Sequence, residues 1–158
     1  MRIYRICPVE HLENFEGCGA SFRDGGRWNI AGVSVLYFAE SASVAMLEMA
    51  NYLPSPRMVP AAYRLGVYEV ASSASMKRWQ ARDLPKDWNE FPHSQWTRKE
   101  GTEWLLRGKE SLLSVPSAAV PGGLGNIVLA SPQRLASAEI KIVEALDDLY
   151  DSRAFAEQ

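Results

Sequence analysis

The run Val33-Ser34-Val35-Leu36-Tyr37-Phe38-Ala39 constrains this chain more than any other stretch. It is β-branched and aromatic, and Gly32 and Ser41 bound it, so it reads as a strand. Ser41 is a good N-cap for a helix from Ala42 to about Tyr52, which Pro54 and Pro56 stop. Upstream, residues 1–7 alternate enough to form a first strand, and His11 to Asp24 reads as irregular. Arg27–Asn29 and Val33–Ala39, with an Ala31-Gly32 turn between them, suit a hairpin. Downstream, Tyr63–Val70 alternates as a strand, and residues 72–100 hold Trp79, Trp88 and Trp96 among prolines and charges, which suggests short helices. A helix is expected from Arg98 to about Leu106. Short strands follow within Ser114–Pro121, over Asn126–Ala130 and over Ala138–Val143. Strands outnumber helices and rarely alternate with them, so the expected class is α+β, a mixed or antiparallel sheet with flanking helices.

Composition limits the function. The 158 residues are enough for one domain, expected to span 1–158, with 47% hydrophobic residues to fill a core. With 17 Lys and Arg against 19 Asp and Glu, the net charge is −2, which argues against a protein that coats nucleic acid. A small anionic ligand held by one or two arginines remains compatible with that balance. The two cysteines, Cys7 and Cys18, make neither a disulfide framework nor a CxxC site. The charged start Met1-Arg2-Ile3-Tyr4-Arg5-Ile6 does not read as a signal peptide, and no run approaches the ~20 apolar residues of a membrane span. The expected setting is the cytoplasm, away from membranes. His11 and His93 have no ligand cluster around them, so no metal is expected.

Four residues stand out for chemistry. Glu48 sits in Ala42-Ser43-Val44-Ala45-Met46-Leu47-Glu48-Met49-Ala50, where apolar side chains run all the way round, the mark of a buried helix. A lone carboxylate there is costly to desolvate, so it is either a structural partner of some arginine, a group meeting solvent at a gap, or a ligand-facing carboxylate. Arg27 follows Gly25-Gly26, which permits a sharp turn and a close backbone approach. It is either an exposed hairpin side chain or a fork for a phosphate or carboxylate. Tyr37 is half-buried if Val33, Val35, Tyr37 and Ala39 share a face, and then its hydroxyl bonds within the protein or its ring stacks on a ligand. Ser117, in Val-Pro-Ser-Ala, lacks a nearby His and a Gly-x-Ser-x-Gly elbow, so it is no convincing nucleophile, though it can still hydrogen-bond a ligand. Trp28 reads as core. The run Gly122–Gly125 reads as a hairpin turn and not as a dinucleotide-binding loop, because no GxGxxG leads into a helix.

Gly25-Gly26-Arg27-Trp28-Asn29, Val35-Leu36-Tyr37-Phe38-Ala39-Glu40-Ser41, Ala45-Met46-Leu47-Glu48 and Val115-Pro116-Ser117-Ala118 together resemble the RES domain family, named for its Arg, Glu and Ser. The resemblance covers most of the chain, through Asn126–Pro132 to Leu149-Tyr150-Asp151-Ser152-Arg153. It implies a fold similar to the ADP-ribosyltransferases of the diphtheria-toxin kind. It also implies a toxin of a type II toxin–antitoxin pair, neutralised by an Xre-like helix-turn-helix antitoxin. The implied reaction breaks the nicotinamide–ribose bond of NAD by hydrolysis, phosphorolysis or transfer of ADP-ribose to a protein. On this sequence the family's catalytic residues map to Arg27, Glu48 and Ser117, and Tyr37 joins them in binding NAD. A homodimer is implied by resemblance alone. The chain departs from the family where an Asn-Pro turn becomes Ser131-Pro132, and that position is given no role.

The chemistry expected of these residues agrees. Departure of nicotinamide builds positive charge on the ribose, which a carboxylate such as Glu48 stabilises. The diphosphate needs a cationic fork, a role for Arg27, and the nicotinamide ring an aromatic face such as Tyr37. Ser117 would orient the nicotinamide ribose or its amide. Nicotinamide leaves as a neutral molecule, so no general acid is required. Two readings from other classes stand against this one: a nucleic-acid-cleaving toxin, disfavoured by the acidic balance, and a non-catalytic binding module in which Arg27 and Glu48 form a buried structural pair.

Overall fold

A computed structural model describes residues 1–55, 58–151 and 153–154. Its centre is the strand β2 (Leu36–Ala39), only four residues long but paired on both edges. Around it lie β1 (Arg2–Pro8), β3 (Tyr63–Val70), β4 (Met76–Arg78), β5 (Leu112–Pro116), β6 (Asn126–Ala130) and β7 (Ile140–Leu146). The order across the sheet is β4-β5-β6-β2-β1-β3-β7. Every pairing is antiparallel except β4 with β5, so the sheet is mixed and the class is α+β. Among the described residues three α-helices accompany it: α1 (Ala20–Asp24), α2 (Ala42–Ala50) and α3 (Gln95–Arg107). No helix among the described residues is long and apolar enough to cross a membrane.

Strand alternation sorts the core into two layers. On β2, Leu36 and Phe38 face one layer with Ile3, Tyr68, Leu112, Val128 and Ala130. Val35 and Ala39 face the other, with Val44 and Ala45 of α2, Trp104 and Leu105 of α3, and Leu113, Val115 and Leu129. Val33 and Tyr37 join that second layer, so the four residues expected on one face do share it. With both faces of the central strands covered, the run from Val33 to Ala39 is hydrophobic throughout, and its period of two decides only which layer each side chain enters.

Four expectations need correction. Arg27–Asn29 is not a strand and makes no hairpin with Val33–Ala39; the Gly26 N–H donates to the Asn29 carbonyl at 2.9 Å and closes a turn instead. Both edges of β2 are already taken by β1 and β6, which leaves no ladder for that segment. The helix carrying Glu48 is not buried on all sides: only Val44 and Ala45 are buried, and Leu47 is 44% exposed. One side of α2 rests on the sheet, and Leu47 on its other side faces outward. Residues 72–100 hold a short strand, β4, besides a 3-10 turn at Ala81–Asp83 and the start of α3. Three residues cannot announce a strand, and β4 exists through its parallel pairing with Leu112–Ser114. The segment before Gly25, expected to be irregular, contains α1 and a 3-10 turn at Val9–His11. Tyr63–Val70 and Asn126–Ala130 match their expected spans, and Ser41 caps α2 by accepting the Val44 N–H at 3.2 Å.

Helix α3 is the element that fixes the segment around Arg27. Gly101 lies against the backbone of Trp28, where an added Cβ would press into the carbonyl oxygen and come within 2.8 Å of the carbonyl carbon. At the next residue, the Thr102 hydroxyl accepts the Ile30 N–H at 3.0 Å. The fit tolerates only glycine, because backbone on one side and a helix on the other leave nothing soft to yield. Gly101→Ala is therefore expected to lower unfolding stability by about 2 kcal/mol or more, the cost of overpacking a rigid contact. Chemical denaturation of the variant checks this, and a loss below about 0.5 kcal/mol would mean that α3 and Trp28 are free to separate.

Candidate functional site

The turn that carries Arg27 is set by its two glycines for different reasons. Gly25 ends α1 at φ 77°, a left-handed conformation that glycine adopts without strain. Gly26 has no room for a side chain: a Cβ would come within 2.9 Å of Asn29 Oδ1 and 3.0 Å of the Tyr37 hydroxyl. Asn29, wholly buried, donates through Nδ2 to the Ser21 and Ile30 carbonyls at 2.7 and 3.1 Å. Its Oδ1 accepts the Tyr37 hydroxyl at 2.8 Å, and that hydroxyl accepts the Trp28 N–H at 3.3 Å. The Tyr37 hydroxyl thus bonds within the protein, and burial drives its pKa well above that of a free phenol, with the Trp28 bond opposing.

Arg27 extends from this turn, half-buried. Its Nη1 donates to the carbonyls of Trp88 and Glu90, each at 2.8 Å. Burial lowers its pKa below the ordinary guanidinium value, while Glu48, Tyr52 and Tyr37 oppose that shift through their fields. Those fields place Arg27, Tyr37 and Glu48 in one neighbourhood and add Tyr52, an exposed ring just past the end of α2. Among the described residues no carboxylate forms an ion pair with Arg27. Arg27 and Glu48 therefore feel each other without contact, and the buried structural pair is not formed.

Ser117 brings in the remaining member. It follows β5, is fully buried, and donates its N–H to the Gly125 carbonyl at 2.8 Å. Its hydroxyl donates to Glu48 Oε1 at 2.5 Å and accepts the Ala119 N–H at 3.1 Å. A serine whose proton points at a carboxylate is an orienting donor. Glu48, half-buried, keeps Oε2 without a hydrogen-bond donor among the described residues. All four residues expected from sequence are therefore brought together, Arg27, Tyr37 and Glu48 through their fields and Ser117 through its bond to Glu48. Two surface hollows, of about 380 and 290 Å³, lie elsewhere and include none of them.

Several neighbours escaped the sequence reading. Trp88 and Glu90 act through their carbonyls, which no side-chain pattern reveals. Tyr52 looked like a helix end. Glu40, one residue beyond β2, accepts from Arg78 at 2.6 Å, Ser114 at 2.9 Å and Asn126 Nδ2 at 3.0 Å. It ties β4, β5 and β6 to the entrance of α2, and so fixes the strand that delivers Ser117 against the helix that delivers Glu48. An acid at a strand end followed by a capping serine was the available signal. Ser131, given no role, is buried and donates its N–H to the Ser111 carbonyl at 3.0 Å, a structural use. The C-terminal Asp-x-Arg motif is only partly visible, since Ser152 lies outside the described residues; Asp151 and Arg153 pair with each other at 2.9 Å.

The family model for the RES domain matches residues 2–151. A protein of Yersinia enterocolitica named Toxin Res is 32% identical over 154 residues, covering 97% of this chain and 99% of its own. A protein of Sphingobium sp. named Prs ADP-ribosylating toxin is 31% identical, covering 96% of this chain and 93% of its own. A chain in the crystal structure of the M. tuberculosis MbcT–MbcA toxin–antitoxin complex superposes with a TM-score of 0.70 at 24% identity, covering 92% of this chain and 82% of that one. This last likeness shows the fold.

The Glu40 clamp has a consequence for acid stability. Burial alone would raise its pKa, but the bonds from Ser114, Asn126 and Arg78 outweigh it and hold the carboxyl below its ordinary 4.5. A pKa depressed in the folded state gives stability that is present above the unfolded value and lost as pH falls through the folded one. The urea midpoint of the wild type is expected to decline below about pH 4.5, the unfolded carboxyl value. Glu40→Gln should start from a lower midpoint at pH 7 and decline less steeply. Identical acid profiles for the two proteins would show that the clamp contributes nothing.

Proposed function

The chain belongs to the RES domain family, and from that premise we propose that it is the toxin of a toxin–antitoxin pair that breaks the nicotinamide–ribose bond of NAD. The observation that carries the reading is the Ser117–Glu48 hydrogen bond, set close to a half-buried arginine that is not neutralised. The reaction needs a fixed negative charge beside a developing ribose cation and a fixed positive one for the diphosphate, held apart so that neither cancels the other. Glu48, with one oxygen pinned by Ser117 and the other open, meets the first need. Arg27, with Nη1 fixed by two carbonyls and the rest of its fork open, meets the second.

In this mechanism the C–N bond breaks and its electron pair passes to the ring nitrogen, which cancels the pyridinium charge. The ribose becomes an oxocarbenium ion, steadied by Glu48 across Oε2. Ser117 keeps the carboxylate turned toward that ion and is not itself the nucleophile. The Tyr37 ring offers an apolar face for the nicotinamide, and its hydroxyl, already committed to Asn29, holds the turn beneath Arg27. Water or phosphate then captures the ion, and NAD is lost to the cell. Transfer of ADP-ribose to a protein is the second reading, favoured by the relative named as an ADP-ribosylating toxin. Either reaction requires a partner that silences it, and an Xre-like helix-turn-helix antitoxin is the expected kind; the fold's likeness to a chain from a toxin–antitoxin complex supports such a partner.

Nicotinamide release from NAD, followed by chromatography with water alone, with added phosphate, and with cell protein, tests the reading and separates the acceptors. Glu48→Gln keeps the shape and removes the charge, and it should lower kcat by about 100-fold or more, the usual effect of deleting one preorganised charge-stabilising group. Arg27→Ala should weaken NAD binding. A folded Glu48→Gln protein that still released nicotinamide at the wild-type rate would overturn the assignment.

A further inference from the structure

We propose that Arg98, on the first turns of α3, is a second diphosphate-binding residue, so that the anionic middle of the dinucleotide is held between Arg27 and Arg98. The inference rests on the NAD reading and extends it to a residue outside the family's Arg, Glu and Ser. Arg98 reaches back from α3 to the arginine turn, where its Nε donates to the Gly26 carbonyl at 3.3 Å, one residue before Arg27. That single bond orients the guanidinium and leaves Nη1 and Nη2 without acceptors among the described residues. No carboxylate forms an ion pair with Arg98 or with Arg27 among those residues. Two half-buried guanidinium groups held at one turn, with open donors and no ion-paired acid among the described residues, make an arrangement that an external anion would complete.

A third group records the same imbalance. His93, just before α3, has Nδ1 buried with no hydrogen-bond partner. Burial lowers its pKa, and the positive fields of Arg27 and Arg98 lower it further, with no acid opposing them. At the start of α3 the Asp87 carboxylate accepts the Ser94 hydroxyl at 3.2 Å. That bond also draws the Ser94 side chain away from capping α3, so the first amides of a 13-residue helix lack a side-chain acceptor beside these cations. Arg27 and Arg98 thus flank the Gly26 turn as two cations, with the orphaned His93 nitrogen in their field, an edge suited to a phosphate dianion or diphosphate.

The test uses the full chain and two probes, ADP-ribose and inorganic pyrophosphate, with binding measured by calorimetry, and NAD turnover measured alongside. Arg98→Gln, checked for folding by circular dichroism, should weaken both probes about tenfold, the loss of one charge-assisted contact. It should raise KM for NAD by a similar factor, with kcat changed far less, and flatten the salt dependence of binding. Arg98→Lys keeps the charge and should fall between; it stands in for the glutamine variant if that one fails to fold. A brace acting only through Gly26 would lower kcat and the unfolding midpoint while leaving pyrophosphate binding and its salt dependence at wild-type values, which would overturn the inference. So would a variant that loses pyrophosphate binding yet holds ADP-ribose as tightly as the wild type, since the site would then serve a free inorganic anion. If the wild type cleaves NAD and Arg98→Gln matches it in KM, only this inference fails. If the wild type neither binds ADP-ribose nor cleaves NAD, the functional reading fails with it.

Discussion

The hydrogen bond from Ser117 to Glu48 joins residues 69 positions apart, and the rest of the site is arranged around it. It links the residue just after β5 to the last turn of α2. A neutral donor turns a carboxylate without cancelling its charge, whereas an arginine in the same place would have done both. The choice of serine therefore keeps an anion available beside the core. The Glu40 clamp serves this contact from behind, since it locks β5 and β6 to the start of α2 and sets the separation that the serine and the glutamate must bridge.

The positive side of the site follows a different logic. Arg27 is solvated by two backbone carbonyls, which supply partial negative charge without neutralising it. The segment beneath it is gripped by α1 through Asn29, by β2 through Tyr37 and by α3 through Gly101, Thr102 and Arg98. Two neighbouring elements, α1 and β2, and α3 from far along the chain thus converge on Gly25–Ile30, which has no regular structure of its own. Rigidity there comes from specific hydrogen bonds and one close backbone contact, because a segment outside the sheet has no ladder to hold it.

That contrast explains what was legible in the sequence. Tyr63–Val70 and Asn126–Ala130 could be read because alternation is a local signal and tertiary pairing reinforced it. Glu48 was legible as an anomaly, an acid among apolar neighbours, although the inference that its helix is wholly buried was too strong. Hydrophobicity on all sides of α2 marks contact with the sheet on one side only, and Leu47 stays exposed on the other. Arg27–Asn29 misled in the opposite direction: a Gly-Gly entry and a nearby strand suggest a hairpin, and only the occupied edges of β2 exclude it. The carbonyls of Trp88 and Glu90 had no sequence signature, because a main-chain acceptor is the same atom in every residue. Gly101 had none either, since the need for glycine arises from Trp28, more than seventy positions earlier.

These two modes of support bear on how the charges coexist. Glu48 and Arg27 attract each other through the protein, and a direct ion pair would have cancelled both charges. Each is instead held by neutral groups, a hydroxyl for the acid and carbonyls for the base, which satisfy hydrogen bonding and prevent the side chains from collapsing together. The fold therefore keeps separated charge in a half-buried setting, where fields are stronger than in water. Such separation is stable only while its supports are stiff, which is why the irregular segment from Gly25 to Ile30 is braced by α1, β2 and α3.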